Sequence, residues 1–186
     1  MGCPRHYNLL LKRKVIMAYD LRSALEHAIE IEKGGMKAYM DFALKSASTD
    51  GKDMFIWLAR EEFAHMRLFE SMLSAAAGTT SEAFKIPESD IQRFMPRVRK
   101  MERTKGGKAE AHDADALRAA LKMEVDTRDF YRKQAELADD PKVKEVFKEL
   151  AEIEEGHREL IQAQLDFVTQ TGFWFGMMEF DVEGRA

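Results

Sequence analysis

Apolar residues recur at intervals of three and four along four stretches of the chain, which is the spacing of amphipathic α-helices. The pattern predicts helices over residues 21–46, 52–77, 114–138 and 141–171. Local signals mark their ends: Asp20 or Ser23 as cap of the first helix, Gly78 after the second, Asp113 as N-cap of the third, Asp140 and Pro141 at the start of the fourth, and Gly172 at its end. The predicted fold class is therefore all-α.

The links between the helices predict how the helices pack. A short link joins helices one and two, another joins helices three and four, and short links make antiparallel hairpins. Roughly 35 residues, 78–112, separate the two pairs and can cross the length of a bundle. We therefore predict one four-helix bundle over residues 20–171, an N-terminal extension over 1–19 and an aromatic C-terminal tail over 172–186. Within the crossover, residues 104–113 are expected to form a mobile loop.

The two predicted hairpins repeat each other at an offset of 92 residues. The offset relates Glu32 to Glu124, Tyr39 to Tyr131, Phe55 to Phe147, Glu62 to Glu154 and His65 to His157. These identities concentrate on the inward stripes of the helices. Two such hairpins are expected to pack around a pseudo-twofold axis and to share one core.

The inward stripes carry one glutamate per helix, namely Glu32, Glu62, Glu124 and Glu154. A buried carboxylate is costly without a partner, and four at one level repel each other unless protons or cations neutralise them. Residues three apart share a helix face, so His65 converges with Glu62, and His157 with Glu154. Four carboxylates and two neutral imidazoles balance two divalent ions, and these ligands suit iron or manganese. The alternative is a structural bundle in which the carboxylates are solvated or pair with arginine.

Composition narrows the classes of function. A formal charge of −4 gives no reason to expect nucleic acid as a partner. Cys3 is the only cysteine, which excludes an intrachain disulfide and a rubredoxin-type iron site within this sequence. No apolar run is long enough for a membrane span or a secretory signal, so the expected location is the cytoplasm. The tail aromatics Phe173, Trp174, Phe175 and Phe180 are expected to cover a bundle end or a partner subunit.

These motifs resemble the rubrerythrin branch of the ferritin-like superfamily. "IEIEKGGMKAY" is similar to the family's first-helix pattern, and "LAREEFAHMRLF" and "LAEIEEGHRELI" are similar to its two Glu-x-x-His helices. The resemblance covers about residues 20–170. It implies a ferritin-like fold and a di-iron site with these ligands: Glu32, Glu62 and His65 for one iron, Glu124, Glu154 and His157 for the other, and Glu62 and Glu154 as bridges.

The resemblance also implies a chemistry and partners. Family members react with hydrogen peroxide or dioxygen, so a non-heme di-iron oxidoreductase with two iron ions per chain is expected, manganese or a mixed metal pair being the alternative. The electrons would come from an external donor such as a rubredoxin-like protein, and the oligomer would be a homodimer. The basic stretch 93–108 is either a docking surface for an acidic donor or a solvated loop.

Three residues are expected to support the ligands without touching the metals. Tyr39 and Tyr131 would each hydrogen-bond to a carboxylate ligand, as such tyrosines do in this family, and would orient it. Glu61 would accept a hydrogen bond from a ligand histidine, unless it is solvated. The alternative for both tyrosines is a packing role in the core.

Two further functions are open. Many rubrerythrins have a glutamate three residues after the third-helix ligand, where this chain has Thr127. The remaining six-ligand set resembles the ferroxidase centre of bacterioferritins, so a ferritin-type ferroxidase that serves iron storage is one alternative. The other is a metal-free helical interaction protein that uses its aromatic tail.

Overall fold

The structure is a computed structural model that describes residues 19–78, 85–89, 91 and 104–176. Its helices and strands are α1 (Leu21–Lys45), α2 (Thr49–Ala76), β1 (Thr104–Lys108), α3 (Ala111–Leu137), α4 (Pro141–Thr171) and β2 (Phe173–Gly176). The predicted four-helix bundle of two hairpins is confirmed. The extension 1–18, most of the basic stretch 93–108, and Phe180 lie outside the described residues.

Side-chain caps fix the ends of the first and last helices. Asp20 accepts hydrogen bonds from the Ser23 backbone N–H at 3.1 Å and from the Ser23 hydroxyl at 2.7 Å. At the start of α4, Asp140 accepts a hydrogen bond from the Lys142 backbone N–H at 2.7 Å. The helix ends at Gly172 as predicted, and the φ of this glycine is 74°, in the left-handed region. These three predicted signals lie where the sequence placed them, and they set the helix phase that turns the glutamates inward.

The predicted N-cap of α3 is wrong. The helix begins at Ala111, so Asp113 is its third residue rather than its cap. The Asp113 carboxylate reaches back and accepts a hydrogen bond from the Glu110 backbone N–H at 2.9 Å. A carboxylate at the third helical position stabilises a helix start in this way, so the same residue type fits both positions.

The helices pack as two antiparallel hairpins. α1 lies along α2, α3 lies along α4, and α1 also contacts α3. Large apolar side chains fill the centre without any exposed surface: Leu25, Phe55, Leu58, Phe69, Leu117, Phe147, Leu150 and Ile161. Among the described helices, none is long and apolar enough to cross a membrane. The hairpins therefore form one bundle around a common core.

A short β-ribbon closes one end of the bundle. β1 pairs antiparallel with β2, with Lys105 opposite Phe175 and Lys108 opposite Phe173. The Gly107 backbone N–H donates to the Asp50 carboxylate at 2.6 Å and ties the ribbon to α2. The expectation of a mobile loop over 104–113 is therefore wrong. Two adjacent glycines and flanking charges are typical of a loop, and the partner strand lies far away in sequence.

Tail aromatics anchor the ribbon in the core, as one of the two predicted alternatives stated. Trp174 is fully buried, meets Phe55 edge-on at 5.7 Å between ring centroids, and donates its indole N–H to Asp113 at 3.3 Å. The buried Gln164 side chain donates to the Phe175 carbonyl at 3.0 Å and accepts from its N–H at 3.3 Å. These contacts make residues 173–176 part of the bundle end.

Candidate metal centre

The six candidate ligands meet in the middle of the bundle. Each is at most 3% exposed: Glu32, Glu62, His65, Glu124, Glu154 and His157. Their ligand atoms form two groups within which all atoms lie within 4.8 Å of one another. One group is Glu32, Glu62, His65 and Glu154, and the other is Glu62, Glu124, Glu154 and His157. Glu62 and Glu154 belong to both groups, the position that bridging ligands require.

The local sequence explains this convergence. Residues three apart in a helix lie on one face, so α2 presents Glu62 and His65 together, and α4 presents its pair in the same way. α1 and α3 each add one glutamate. The two imidazole rings face each other across the cluster with centroids 6.0 Å apart and an angle of 23° between their planes. The repeat in sequence thus becomes a near-symmetric arrangement of donors.

Each tyrosine crosses from its own half of the bundle to the other. The Tyr39 hydroxyl donates to Glu124 Oε1, and the Tyr131 hydroxyl donates to Glu32 Oε1. Both tyrosines are fully buried. Burial, and then the charges of the neighbouring carboxylates, raise the pKa of each phenol well above 10.0. Both hydroxyls therefore keep their protons and act as donors to one oxygen of a carboxylate.

The histidines lie close to several carboxylates at once. His157 Nδ1 is hydrogen-bonded to Glu154 Oε2 at 3.1 Å and lies 3.7 Å from Glu62 Oε1. His65 Nδ1 lies 3.2 Å from Glu154 Oε1 and 3.6 Å from Glu32 Oε1. Glu154 therefore sits between the two imidazoles and is the carboxylate that both approach most closely.

The cluster binds protons strongly on its carboxylates. Burial, followed by the charges of the neighbouring carboxylates, raises the pKa of Glu62 well above 4.5. Burial is likewise the largest cause that raises the pKa of Glu32 to about 8 and that of Glu124 to about 7. These shifts follow from like charges held close together out of water. Without cations, the site is neutralised partly by protons.

The pKa values of Glu154 and of the two histidines shift toward the charged forms, as in an ion pair. Burial acts to raise the pKa of Glu154, but the hydrogen bond with His157 and the close imidazole of His65 outweigh it and hold that pKa well below 4.5. Burial acts to lower the pKa of each histidine, but the neighbouring carboxylates raise it above 6.5, and for His157 well above. One carboxylate thus remains charged between two imidazoles.

The donor set fits a pair of divalent cations. Among the described residues, several buried atoms of this cluster have no hydrogen-bond partner: Glu32 Oε2, Glu62 Oε1, Glu154 Oε1 and His65 Nδ1. A buried polar atom without a partner is costly, and cations bound in the two ligand groups would satisfy these four atoms. Carboxylate and imidazole donors suit iron or manganese, and no thiolate lies among them. The six residues could therefore hold two such ions, with Glu62 and Glu154 between them.

Glu61 lies behind one histidine and not the other. Its Oε2 is 3.8 Å from His157 Nε2, on the side of the ring away from the carboxylate cluster. Burial acts to raise the pKa of Glu61, but the nearby imidazole of His157 and, after it, Ser89 hold that pKa below 4.5. At the equivalent position of the second half the chain has Ile153, so the two histidines have chemically different surroundings.

Three features of the site escaped the sequence reasoning. A Cβ at Gly35 would lie 3.0 Å from Glu62 Oε2, so the glycine lets this carboxylate approach α1. The Trp57 ring meets the His157 ring edge-on at 5.5 Å. Ile91 is fully buried against Gly156, beside His157. The adjacent glycines within a long helical stretch were the one signal that could have been followed; the other contacts depend on tertiary packing.

The sequence of this chain matches the model of a known protein family over most of its length. The sequence model of the Rubrerythrin family matches residues 23–105 and 115–170. The chain belongs to the rubrerythrin family. Both matched segments contain a tyrosine, two glutamates and a histidine of the buried cluster, so membership accounts for the repeat. A rubrerythrin domain of this kind is consistent with a di-metal redox protein.

A solved structure supports the fold of this rubrerythrin-family chain. A hypothetical protein from Pyrococcus furiosus superposes with a TM-score of 0.61 and 21% sequence identity, over 84% of this chain and 94% of that one. At this identity the likeness concerns the architecture alone. Among curated proteins, no sequence matches the chain. The family and the geometry of the site therefore carry the functional argument.

Proposed function

We propose that the protein is a non-heme di-iron oxidoreductase that reduces hydrogen peroxide to water. The balanced reaction consumes one peroxide, two protons and two electrons and yields two water molecules. Two ferrous ions, when bound, would supply the electron pair by becoming ferric. Glu32, Glu62, Glu124, Glu154, His65 and His157 would be their ligands.

One observation carries this proposal. Four carboxylates and two imidazoles lie buried at a single level of the bundle, and they fall into two ligand groups that share Glu62 and Glu154. Such a group of like charges is unfavourable for the fold unless protons or cations neutralise it, and protons do so only in part near neutral pH. A chain that belongs to the rubrerythrin family and keeps this cluster out of water is best explained by a functional metal pair.

The side chains around the cluster would position the ligands and exclude water. The hydroxyls of Tyr39 and Tyr131 fix one oxygen of Glu124 and Glu32 and leave the other free for a metal. The Leu58 and Phe69 side chains lie one turn before Glu62 and one turn after His65, without exposed surface. They place apolar side chains on both sides of the cluster along the bundle axis. Water is thereby excluded, which strengthens the interactions between the charges of the cluster.

The site requires partners that the chain does not itself contain. Cys3 alone cannot form the four-thiolate iron site of a rubredoxin, so we propose an external electron donor such as a rubredoxin-like protein. We further propose a cytoplasmic homodimer with two iron ions per chain. Neither nucleic acid nor a membrane has a role in this proposal.

A second candidate, ferrous oxidation by dioxygen for iron storage, has one observation in its favour. Thr127 is buried one turn after Glu124, at the position where many rubrerythrins have a further glutamate. The cluster therefore offers six ligands arranged nearly symmetrically. The same diferrous site would serve both reactions, and the preferred oxidant separates them.

The test is to load the protein with ferrous iron without oxygen and to mix it with peroxide or dioxygen. We expect peroxide to oxidise the site faster than dioxygen, with one peroxide consumed for every two ferrous ions. Glu70→Ala, a change on the outer side of α2, should react like the unmodified protein, and Glu62→Ala should not react.

Other results would select the alternatives. Faster reaction with dioxygen, followed by uptake of many ferric ions into a large hollow assembly, would favour iron storage over peroxide reduction. Absence of any metal-dependent reaction would leave the metal-free interaction protein, whose properties would not change in Glu62→Ala.

A further inference from the structure

The two histidines of the cluster present the same ring nitrogen to the carboxylates. His157 Nδ1 lies 3.1 Å from Glu154 and 3.8 Å from Glu124. His65 Nδ1 lies 3.2 Å from Glu154 and 3.6 Å from Glu32. A neutral imidazole that binds a metal through Nδ1 carries its proton on Nε2. In the metal-bound protein each Nε2 would therefore be an N–H donor on the outer side of its ring.

Only one of these outer nitrogens faces a carboxylate among the residues that the structure describes. Glu61 Oε2 lies 3.8 Å from His157 Nε2, and this buried nitrogen has no hydrogen-bond partner in the described part of the chain. A shift of about 1 Å would bring the two atoms to hydrogen-bond distance. The carboxylates near His65 face its Nδ1 instead, and the apolar Ile153 occupies the position equivalent to Glu61.

Two apolar side chains lie beside the same histidine. The Trp57 ring meets the His157 ring edge-on at 5.5 Å, and Trp57 is 8% exposed. Ile91 is fully buried against Gly156, where a Cβ would lie 2.7 Å from Ile91 Cγ1. These side chains reduce the access of water to His157. A hydrogen bond between its N–H and a charged carboxylate is stronger in such surroundings than in water.

The second half of the bundle provides an internal comparison. The offset of 92 residues relates Trp57 to Glu149, which is exposed, and Gly156 to Ala64. Both halves form the same hairpin and supply the same candidate ligands. The bundle itself therefore requires neither an aromatic ring nor a glycine at these positions. The particular surroundings of His157 need a separate explanation.

We propose that the two metal positions differ in affinity and that Glu61 causes the position at His157 to fill first. This inference rests on the proposed di-metal function. With a metal at Nδ1, Glu61 would accept the hydrogen bond of His157 Nε2–H, fix the ring and make it a stronger ligand. His65 has no equivalent acceptor at position 153. Glu61 acts through His157 without touching a metal, so it is a positioning residue.

Unequal affinity would determine when a chain becomes active. Reduction of one peroxide consumes two electrons, and one ferrous ion supplies one of them. A chain with a single ion at the His157 position could therefore not complete the reaction alone. The fraction of active chains at low iron concentration would follow the occupancy of the weaker position, at His65.

Titration of the metal-free, full-length protein with zinc tests the proposal. Zinc is diamagnetic and binds imidazole and carboxylate ligands, so nuclear magnetic resonance of nitrogen-15-labelled histidines can follow each ring. Spectra of His65→Gln and His157→Gln assign the two signals. We expect the first equivalent of zinc to shift the His157 signals and the second equivalent to shift those of His65. Repulsion between the ions separates two binding steps even in a symmetric site, so the decisive reading is which histidine shifts first.

Substitutions at Glu61 should abolish this order. Glu61→Gln keeps the shape of the side chain but removes its charge, and it should weaken zinc binding at His157 about tenfold or more. Glu61→Ile reproduces the residue of the second half. In both variants, the two histidines should shift together. Glu70→Gln removes one charge from the outer side of α2 and should keep the order of the unmodified protein.

The proposal fails if His65 shifts first, if both histidines shift together in the unmodified protein, or if both Glu61 variants keep the original order. In each of these cases two ions still bind, and the proposed di-metal function stands. If zinc shifts neither histidine, the metal site itself is contradicted, and the proposed function fails together with this inference.

Discussion

At the scale of single residues, the hydroxyls of two tyrosines connect the halves of the site. Tyr39 belongs to the first hairpin and donates a hydrogen bond to Glu124 of the second. Tyr131 of the second hairpin donates the equivalent hydrogen bond to Glu32 of the first. Each hydrogen bond holds one carboxylate oxygen so that its partner oxygen faces the cluster. Because these donors lie outside the ligand set, their removal should affect metal binding without removing a ligand.

Tyr39→Phe and Tyr131→Phe should each weaken iron binding about tenfold or more, because the carboxylates lose the donor that orients them. Competition with a chelator of known affinity measures this change. Tyr19→Phe is the matched control, since the Tyr19 hydroxyl is buried and has no hydrogen-bond partner among the residues that the structure describes. Equal iron affinity in all three variants would contradict an orienting role for Tyr39 and Tyr131.

The residues of the cluster could be predicted from the sequence, whereas most of the residues that contact the cluster could not. The Glu-x-x-His spacing and the 92-residue repeat identified every member of the buried cluster and both tyrosines. Glu61 was predicted to contact a histidine, and it lies 3.8 Å from His157. Gly35, Trp57 and Ile91 were missed, because which side chain touches a site from a neighbouring helix or loop depends on packing rather than on spacing.

At the scale of elements, α1 carries two adjacent glycines with different surroundings. A Cβ at Gly34 would meet nothing within 4 Å, whereas a Cβ at Gly35 would lie 3.0 Å from Glu62 Oε2. The helix can therefore approach α2 at the level of the cluster only where Gly35 lies. This close approach brings Glu62 and Glu32 into one ligand group.

The two glycines make a matched pair of substitutions. Gly34→Ala should raise the free energy of unfolding by about 0.5–1 kcal/mol, because alanine stabilises a helix interior relative to glycine. Gly35→Ala should displace the Glu62 carboxylate and lower iron affinity about tenfold or more. Urea unfolding and chelator competition measure the two effects. An iron affinity unchanged in Gly35→Ala would show that the close approach is not required.

The helices were predictable and the ribbon was not. The predicted bounds of 21–46 and 141–171 differ by at most one residue from those of α1 and α4, and the starts of α2 and α3 differ by three. Capping residues and apolar periodicity are local patterns, so they can be recognised in the sequence alone. Pairing of Thr104–Lys108 with Phe173–Gly176 joins segments that are distant in the chain, and a glycine-rich strand of five residues carries no alternating pattern.

At the scale of the whole molecule, the two halves agree inside and differ outside. Equivalent positions supply the glutamates, histidines and tyrosines of the cluster. On the outside, Met40, Leu44 and Phe63 are exposed and apolar, whereas the equivalent positions carry the charged residues Arg132, Glu136 and Glu155. The repeat therefore predicted the shared core and not the outer surfaces. The residues of an outer surface depend on whether solvent or a binding partner covers that surface. The hydrophobic periodicity of one chain does not contain this information.

The stability of the metal-free protein should decrease as pH rises from about 5 to about 8. Glu32 and Glu124 have folded-state pKa values of about 8 and about 7 against 4.5, so the folded state binds their protons more tightly than the unfolded state. This contribution is complete below pH 4.5 and is lost as pH rises through the raised pKa values. The raised pKa values of the histidines act in the same direction, whereas the lowered pKa of Glu154 matters only at lower pH.

Calorimetric Tm values of metal-free protein across this pH range measure the effect. Protein loaded with iron should show the reverse trend, because metal ions and protons compete for the same carboxylates and imidazoles. A Tm of the metal-free protein that stays constant or rises from pH 5 to pH 8 would contradict the buried, proton-binding cluster.

Iron content per chain tests the central claim most directly. After anaerobic reconstitution with ferrous iron, plasma mass spectrometry should find about two irons per chain in the unmodified protein, as in ferritin-like di-iron proteins. Glu62→Ala should fall below one, since this carboxylate belongs to both ligand groups, and Glu70→Ala should keep both ions. A metal-free unmodified protein, or two irons retained in Glu62→Ala, would contradict the assignment of the cluster as a shared metal site.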